Sequence, residues 1–249
     1  MQPMNNSPTQ ESLPGFLLAA GRGERMRPLT DTIPKPLLQI QGKSLLQWHI
    51  EALVAANIRQ IVVNHAWLGE QIELALGDVA KWEAKIQYSP EASALETAGG
   101  IRQALALINP EPYFLAINGD VFCPGLPIAA FTSRFQAHLN DGAKPLAYLM
   151  LVPNPPQHPE CDFYLYSDHV SDKSSQAQSE ESKLTFSGIG IYHQSLFVDL
   201  KLGEAAKLAA LLRSAMAKNQ VFGEKYTGPW HDVGTPQRLD ELNQSYDSK

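Results

Sequence analysis

The chain has 249 residues, of which 44% are hydrophobic, and a formal net charge of −6, so it can bury one sizeable core, with or without an appendage. That charge argues against a general nucleic-acid binder and against a protein held to anionic lipid by its overall charge. The two cysteines, Cys123 and Cys161, form no C-x-x-C pair, and no apolar run approaches the ~18–20 residues of a membrane helix, which together fit a cytoplasmic protein without a cysteine zinc site or a disulfide framework.

Residues 1–14 are polar and lack the basic start and apolar middle of a signal peptide; they are read as a disordered leader to a single domain over 15–249. Residues 15–20 form a short apolar run ending at Gly21, a fully buried first strand. Residues 21–36, rich in Gly, Arg and Pro, predict a loop. Leu45, Leu46, Ile50, Leu53 and Val54 then recur at helical spacing before a second strand at 61–63. A short helix near 72–76, a strand at 86–88, a helix at 101–108 and a buried strand at 113–117 follow, closed by the turn Asn118-Gly119-Asp120. This rhythm predicts an α/β fold, a Rossmann-like and mostly parallel sheet with helices on both faces. The second half is less regular. Strands at 146–152 and 184–192 flank a polar stretch in which 168–183 is expected to be a mobile loop. Helices at 204–217 and 235–245 follow, separated by a strand-like region around Val221 and Trp230.

The segment after the first strand is the most informative. Gly21 and Gly23 let the backbone approach a ligand closely, with main-chain N–H groups facing an anion. Between positions 21 and 43 stand Arg22, Arg25, Arg27, Lys35 and Lys43 against only Glu24 and Asp31. That local excess of three positive charges leaves −9 for the rest of the chain. A dinucleotide loop would need glycine where Met26 stands, and Pro28, Pro34 and Pro36 oppose the helix it should open. A Walker A reading of Gly42-Lys43-Ser44 fails because its earlier glycine falls on Leu37. Lys35, between Pro34 and Pro36, is expected on a stiff, solvent-facing stalk suited to meeting a phosphate.

Asp120 ends a buried strand, and ligands of open parallel sheets bind beyond the carboxyl ends of the strands. Asp232 lies in Trp230-His231-Asp232-Val233-Gly234-Thr235-Pro236, where a strand leads into a helix. Mg²⁺ is ordinarily held by one or two carboxylates with waters and phosphates. Each aspartate by itself also suits a plain structural place, Asp232 beside the helix cap that Thr235 and Pro236 signal.

Together these pieces resemble the sugar-phosphate nucleotidyltransferase family. The matching residues are Gly21-x-Gly23-x-Arg25-Met26-x-Pro28, Pro34-Lys35-Pro36, Asn118-Gly119-Asp120 and Asp232-Val233-Gly234-Thr235-Pro236, in the family's order over nearly the whole chain. Within it the likeness sharpens towards the N-acetylmuramate 1-phosphate uridylyltransferase group. Asn64-His65-Ala66-Trp67-Leu68-Gly69, Ser89-Pro90-Glu91 continuing to Leu95-Glu96-Thr97-Ala98-Gly99-Gly100-Ile101, and Leu184-Thr185-Phe186-Ser187-Gly188 carry it. Cys161-Asp162-Phe163 departs from the group's usual Gly-Asp-Phe, and the polar loop is longer than usual. The alternatives left open are mannose-1-phosphate guanylyltransferase or another sugar-1-phosphate nucleotidyltransferase, and a non-catalytic nucleotide-sugar sensor.

The resemblance implies transfer of a nucleoside monophosphate, from UTP, to N-acetyl-α-muramate 1-phosphate, with loss of pyrophosphate, in peptidoglycan recycling. It implies Mg²⁺ on Asp120 and Asp232, Arg25 and Lys35 as the catalytic cations, and Gly21, Gly23, Glu24, Gly99 and Gly100 around the nucleotide. Asn118, Asp162 and Glu96 are the sugar candidates, though Asn118 also suits a mere turn and Asp162 a solvated strand end. The apolar residues around Trp67 are expected in the core. The partners implied are a nucleoside triphosphate and a sugar 1-phosphate, without nucleic acid or membrane, bound by a monomer.

Overall fold

The computed structural model describes residues 13–77, 79–108, 112–173 and 182–247. Nearly all of the expected leader therefore lies outside the described residues, as does 174–181 of the expected loop.

The first strand β1 (Gly15–Leu18) is followed by a run of short 3-10 turns and a small hairpin, β2 (Gln39–Ile40) and β3 (Lys43–Ser44). Then come α1 (Leu45–Ala55), β4 (Gln60–His65), α2 (Gly69–Leu76), β5 (Lys85–Pro90), α3 (Glu96–Ile108), β6 (Tyr113–Asn118), β7 (Val121–Phe122) and α4 (Ile128–Asn140). The second half holds β8 (Ala147–Pro153), β9 (Phe163–Tyr166), β10 (His169–Ser171), β11 (Lys183–His193), α5 (Leu208–Met216), β12 (Val221–Lys225), β13 (His231–Asp232) and α6 (Pro236–Asp247).

Nine strands form one sheet in the order β5-β4-β1-β6-β11-β8-β12-β10-β9. The four strands from β5 to β6 are parallel and joined by helical crossovers; β1, β4 and β6 carry the apolar runs that burial on both faces requires, while β5 is a part-exposed edge strand. Beyond β6 the sheet turns mixed: β11 runs antiparallel to both β6 and β8, while β12 pairs parallel with β8. β10 and β9 close the edge antiparallel. The stretch 168–183 thus contributes a strand, because His169, Val170 and Ser171 pair with β9, and Val170 buries its side chain.

Helices cover both faces. On one, Leu46, Ile50 and Leu53 of α1, Ile72 and Leu76 of α2 and Phe131 and Phe135 of α4 pack in one core cluster. On the other, Ile101, Ala104 and Leu105 of α3 join Leu208 and Leu212 of α5. Full burial of such side chains contributes roughly 1.5–3 kcal/mol each. A third cluster unites Met26, Leu38, Leu45 and Phe122 with Val233, Leu239 and Leu242, docking α6 onto the loop after β1.

The hydroxyl of Ser44, considered above as part of a nucleotide loop, accepts the Gln47 N–H and caps α1. α3 starts at Glu96, five residues before the expected 101, and so takes Gly99 and Gly100 into a helix that their poor helix propensity hides. Cys123 and Cys161 are both free thiols.

Candidate active site

Leu18 pairs with Asn64 on one side and Asn118 on the other, so β1, β4 and β6 end level on one edge of the sheet. A cleft of about 340 Å³ opens there, bordered by Gly21, Lys35, Asn64, Thr97, Asn118 and Asp120. A smaller hollow of about 240 Å³ shares Gly21, Lys35 and Asp120 and adds Gly23, Glu24, Arg25 and Gly234. The glycine loop, the lysine and the strand-end aspartate therefore converge although the chain separates them widely.

The loop is tied to its surroundings at several points. Gly23 has φ of 70°, and a Cβ there would stand 3.0 Å from Thr30 Cγ2 and 3.1 Å from Lys35 Cβ, so glycine is required for both conformation and space. The Thr30 hydroxyl donates to Gly23 O at 2.9 Å. Arg22 donates to Thr30 O at 2.7 Å and Asp31 Oδ1 at 3.0 Å while lying 4.0 Å over the Trp67 ring. Trp67 is 39% exposed and gives its Nε1–H to Thr30 O at 3.0 Å. It clamps the loop from outside, where the sequence reading expected core around it.

Most of the local positive charge is already partnered. Arg27 pairs with Glu24 and Asp31, Lys43 with Glu51, and Arg22 with Asp31. The Glu24 carboxylate faces Arg22 and Arg27 and its carbonyl accepts the Arg27 N–H at 3.3 Å, so Glu24 would meet a ligand through its main-chain N–H. Among the described residues Arg25 makes no hydrogen bond or ion pair, and its Nη2 lies 3.4 Å from where a Gly234 Cβ would stand. Its guanidinium is thus ready for an anion.

Lys35 is not the exposed residue expected. It is 7% exposed, its stem packs under Gly23, and its Nζ lies 2.7 Å from Asp120 Oδ2. Pro34 is extended as expected, but Lys35 opens a 3-10 turn that swings its side chain inward. Asp232 sits on β13, which pairs antiparallel with β7 so that Asp232 opposes Val121. The Val233 N–H donates to Asp120 O at 3.1 Å, and the Asp232 carboxylate accepts Arg238 Nη1–H at 2.7 Å. The two aspartates therefore leave neighbouring strands, which lie ~4.8 Å apart. Among the described residues no cluster of three or more His, Cys, Asp or Glu side chains could hold a metal. A pair of carboxylates, partly exposed at 38% and 27%, fits a hard cation completed by water and phosphate oxygens.

Beneath β7, His49 is 3% exposed, its Nε2 has no hydrogen-bond partner among the described residues, and burial pushes its pKa down to about 4. Asn118 borders the cleft and packs against Gly188, and its amide has no hydrogen-bond partner among the described residues. Glu96 and Thr97 border the opposite wall, Glu96 with φ of 59°. Gly99 and Gly100 are buried and do not line the cleft. A Cβ on Gly99 would stand 2.5 Å from Glu204 O, and one on Gly100 2.5 Å from Glu91 Oε1. Asp162 also stays outside the cleft lining, its Oδ2 accepting Phe186 N–H at 2.9 Å and its Oδ1 3.2 Å from His158 Nε2. Sequence reasoning missed Asn64, Glu91 and Arg238 as parts of the site; a buried Asn at a strand end beside the glycine loop was the available signal.

The residues from 14 to 249 match the nucleotidyl transferase family. The chain is 50% identical over 91% of its length to the N-acetylmuramate alpha-1-phosphate uridylyltransferase of Neisseria meningitidis serogroup B, covering 95% of that protein. It is 31% identical to the enzyme of the same name from Caulobacter vibrioides, over 89% of this chain and 92% of that one. A crystal structure of a glucose-1-phosphate thymidylyltransferase homologue from Bacillus anthracis superposes with a TM-score of 0.79 at 17% identity, covering 94% of this chain and 95% of that one; it shares the fold. The chain belongs to the nucleotidyl transferase family.

Proposed function

We propose that this nucleotidyl transferase joins UTP to N-acetyl-α-muramate 1-phosphate, giving UDP-N-acetylmuramate and pyrophosphate, as a cytoplasmic monomer serving peptidoglycan recycling. The observation that carries the reading is the 50% identity, over nearly all of both chains, to a protein named for that reaction.

The geometry supports the chemistry. A phosphate oxygen of the sugar 1-phosphate attacks the α-phosphorus of the triphosphate; the new P–O bond forms as the α–β anhydride bond breaks, and its electrons leave on pyrophosphate. The nucleophile is anionic at neutral pH, so no base is required. Bringing two polyanions together is the main barrier, and positioned cations lower it. Lys35, held at the cleft floor, serves the reacting phosphates, and Arg25, without a partner among the described residues, serves the departing pyrophosphate. The main chain at Gly21 and Gly23 borders the phosphate hollow, and Asn118 faces the sugar side. Asp120 and Asp232 would hold Mg²⁺, which when bound neutralises phosphate charge.

Pyrophosphate release tests the reading, with UTP, dTTP, GTP and CTP each paired with N-acetylmuramic, N-acetylglucosamine, glucose and mannose 1-phosphates. UTP with the muramic substrate should exceed every other pair. A preference for GTP with mannose 1-phosphate would replace it with guanylyl transfer, and silence across the matrix with retained nucleotide-sugar binding would make the protein a sensor.

A further inference from the structure

Glu91 is the only buried carboxylate among the described residues, 6% exposed, at the turn from β5 to α3. Its Oε1 accepts Asn64 Nδ2–H at 2.6 Å and its Oε2 accepts the Leu95 backbone N–H at 2.8 Å. Asn64, 1% exposed at the end of β4, uses its Oδ1 to accept the Ala19 N–H at 2.8 Å. Three bonds in series thus tie the chain leaving β1 to the entry of α3. These are the two walls of the cleft, Ala20 and Gly21 on one side and Glu96 and Thr97 on the other.

Burial raises the Glu91 pKa, and an apolar pair of similar volume would fill the same space without desolvating a carboxylate. Gly100 keeps room for the arrangement: a Cβ there would stand 2.5 Å from Glu91 Oε1 and 2.6 Å from Asn64 Nδ2. A poor helix former is therefore held inside α3 at the point where the pair needs space.

We propose that Glu91 and Asn64 form a positioning pair which sets the width of the nucleotide subsite, fixing the start of the glycine loop against the α3 entry, Glu91 from outside the cleft lining and Asn64 from its border. The assignment rests on the nucleotide reading of the cleft given above. The direction of the central bond is reversible by exchange. In the double variant Asn64→Asp/Glu91→Gln, the Gln amide donates to the Asp carboxylate, whose other oxygen still accepts Ala19 N–H, and the Gln carbonyl still accepts Leu95 N–H. Each single variant instead sets donor against donor or acceptor against acceptor.

The test measures UTP affinity by calorimetry with Mg²⁺, and KM for the sugar 1-phosphate, in wild type, Glu91→Gln, Asn64→Asp and the double exchange. Each single change should weaken UTP by about tenfold or more, the scale of one unsatisfied buried polar group, while the sugar 1-phosphate KM moves less than about twofold and the exchange restores most of the loss. Unchanged UTP affinity in the single variants, or an equal rise in both substrates' constants, overturns the proposal. Should neither single variant fold, the exchange decides: a folded exchange with UTP affinity still down about tenfold overturns it, and near-native affinity supports it. A wild type that binds UTP yet transfers nothing defeats the functional reading and leaves the affinity comparison intact; a wild type that binds no triphosphate defeats both.

Discussion

Lys35 and Asp120, 85 residues apart in sequence, meet with Nζ 2.7 Å from Oδ2 at the floor of the cleft. The lysine stem is packed under Gly23, so charge and packing are separable in experiment. Lys35→Met keeps the apolar stem and removes the cation. We expect kcat to fall on the order of 10²–10³, as for loss of one preorganised charge-stabilising group, with melting close to wild type. Lys35→Ala should lose comparable activity and also melt earlier. Activity in Lys35→Met within a few-fold of wild type would remove the lysine from the reaction.

Asp120→Asn and Asp232→Asn test the proposed cation. Each should raise the Mg²⁺ concentration needed for half-maximal pyrophosphate release and cut the maximal rate. Chelation of divalent ions should silence the wild type, and added Mg²⁺ should restore it. Each exchange also takes the charge from a 2.7 Å ion pair, with Arg238 for Asp232 and with Lys35 for Asp120, so both variants should melt earlier than wild type, Asp120→Asn by more because its lysine is buried. A normal Mg²⁺ titration in either variant would exclude that aspartate.

Gly99→Ala separates a packing glycine from a ligand-facing one. Its Cβ would meet Glu204 O at 2.5 Å and Ala206 N at 3.1 Å, on a segment whose Ala206 O accepts the Ala98 and Gly99 N–H groups. Overpacking of this kind costs about 1–3 kcal/mol. Urea unfolding should show that loss, with the KM for UTP affected far less than in the Glu91 and Asn64 variants. A large KM change without lost stability would return Gly99 to the nucleotide site.

His49 gives a pH dependence of stability. Its pKa of about 4 in the folded chain lies below the ordinary histidine value of 6.5 because burial disfavours the charged ring. Above pH 6.5 the ring is neutral in both states. As pH falls from there to 4, the unfolded chain takes a proton that the folded one refuses, so stability declines and the loss levels off below pH 4. The full span corresponds to roughly 3 kcal/mol. Urea midpoints of wild type and His49→Gln should diverge over that window, and parallel curves would show that His49 does not titrate as a buried ring.

The parts of the fold legible in sequence are those whose signal is local. β1, β4 and β6 read as strands because each is a continuous apolar run, and α6 because Thr235 and Pro236 mark its start. No helix is expected at α4 from the sequence reading, although Ile128, Phe131 and Phe135 keep helical spacing and are all buried. β7 and β13 are two residues each, too short for any period, yet they bring Asp232 beside Asp120. The inward turn of Lys35 depends on Gly23 and Asp120, neither of which is near it in the chain. Gly99 and Gly100 were read as room for a ligand because the strap at 204–206 and the Asn64–Glu91 pair leave no mark beside them in sequence. Charge counting likewise suggested five available cations after β1, whereas four have acidic partners and Arg25 has none among the described residues.

The docking of α6 onto the segment around Met26 has an outcome for biosynthesis. A polypeptide cut before His231 would keep every strand of the large sheet and the whole glycine loop, yet lack one acidic partner and the helix that seals Met26. Every strand of the scaffold thus precedes Asp232 and α6 in the chain, so synthesis from the N-terminus supplies the whole sheet before it supplies the second carboxylate of the candidate site.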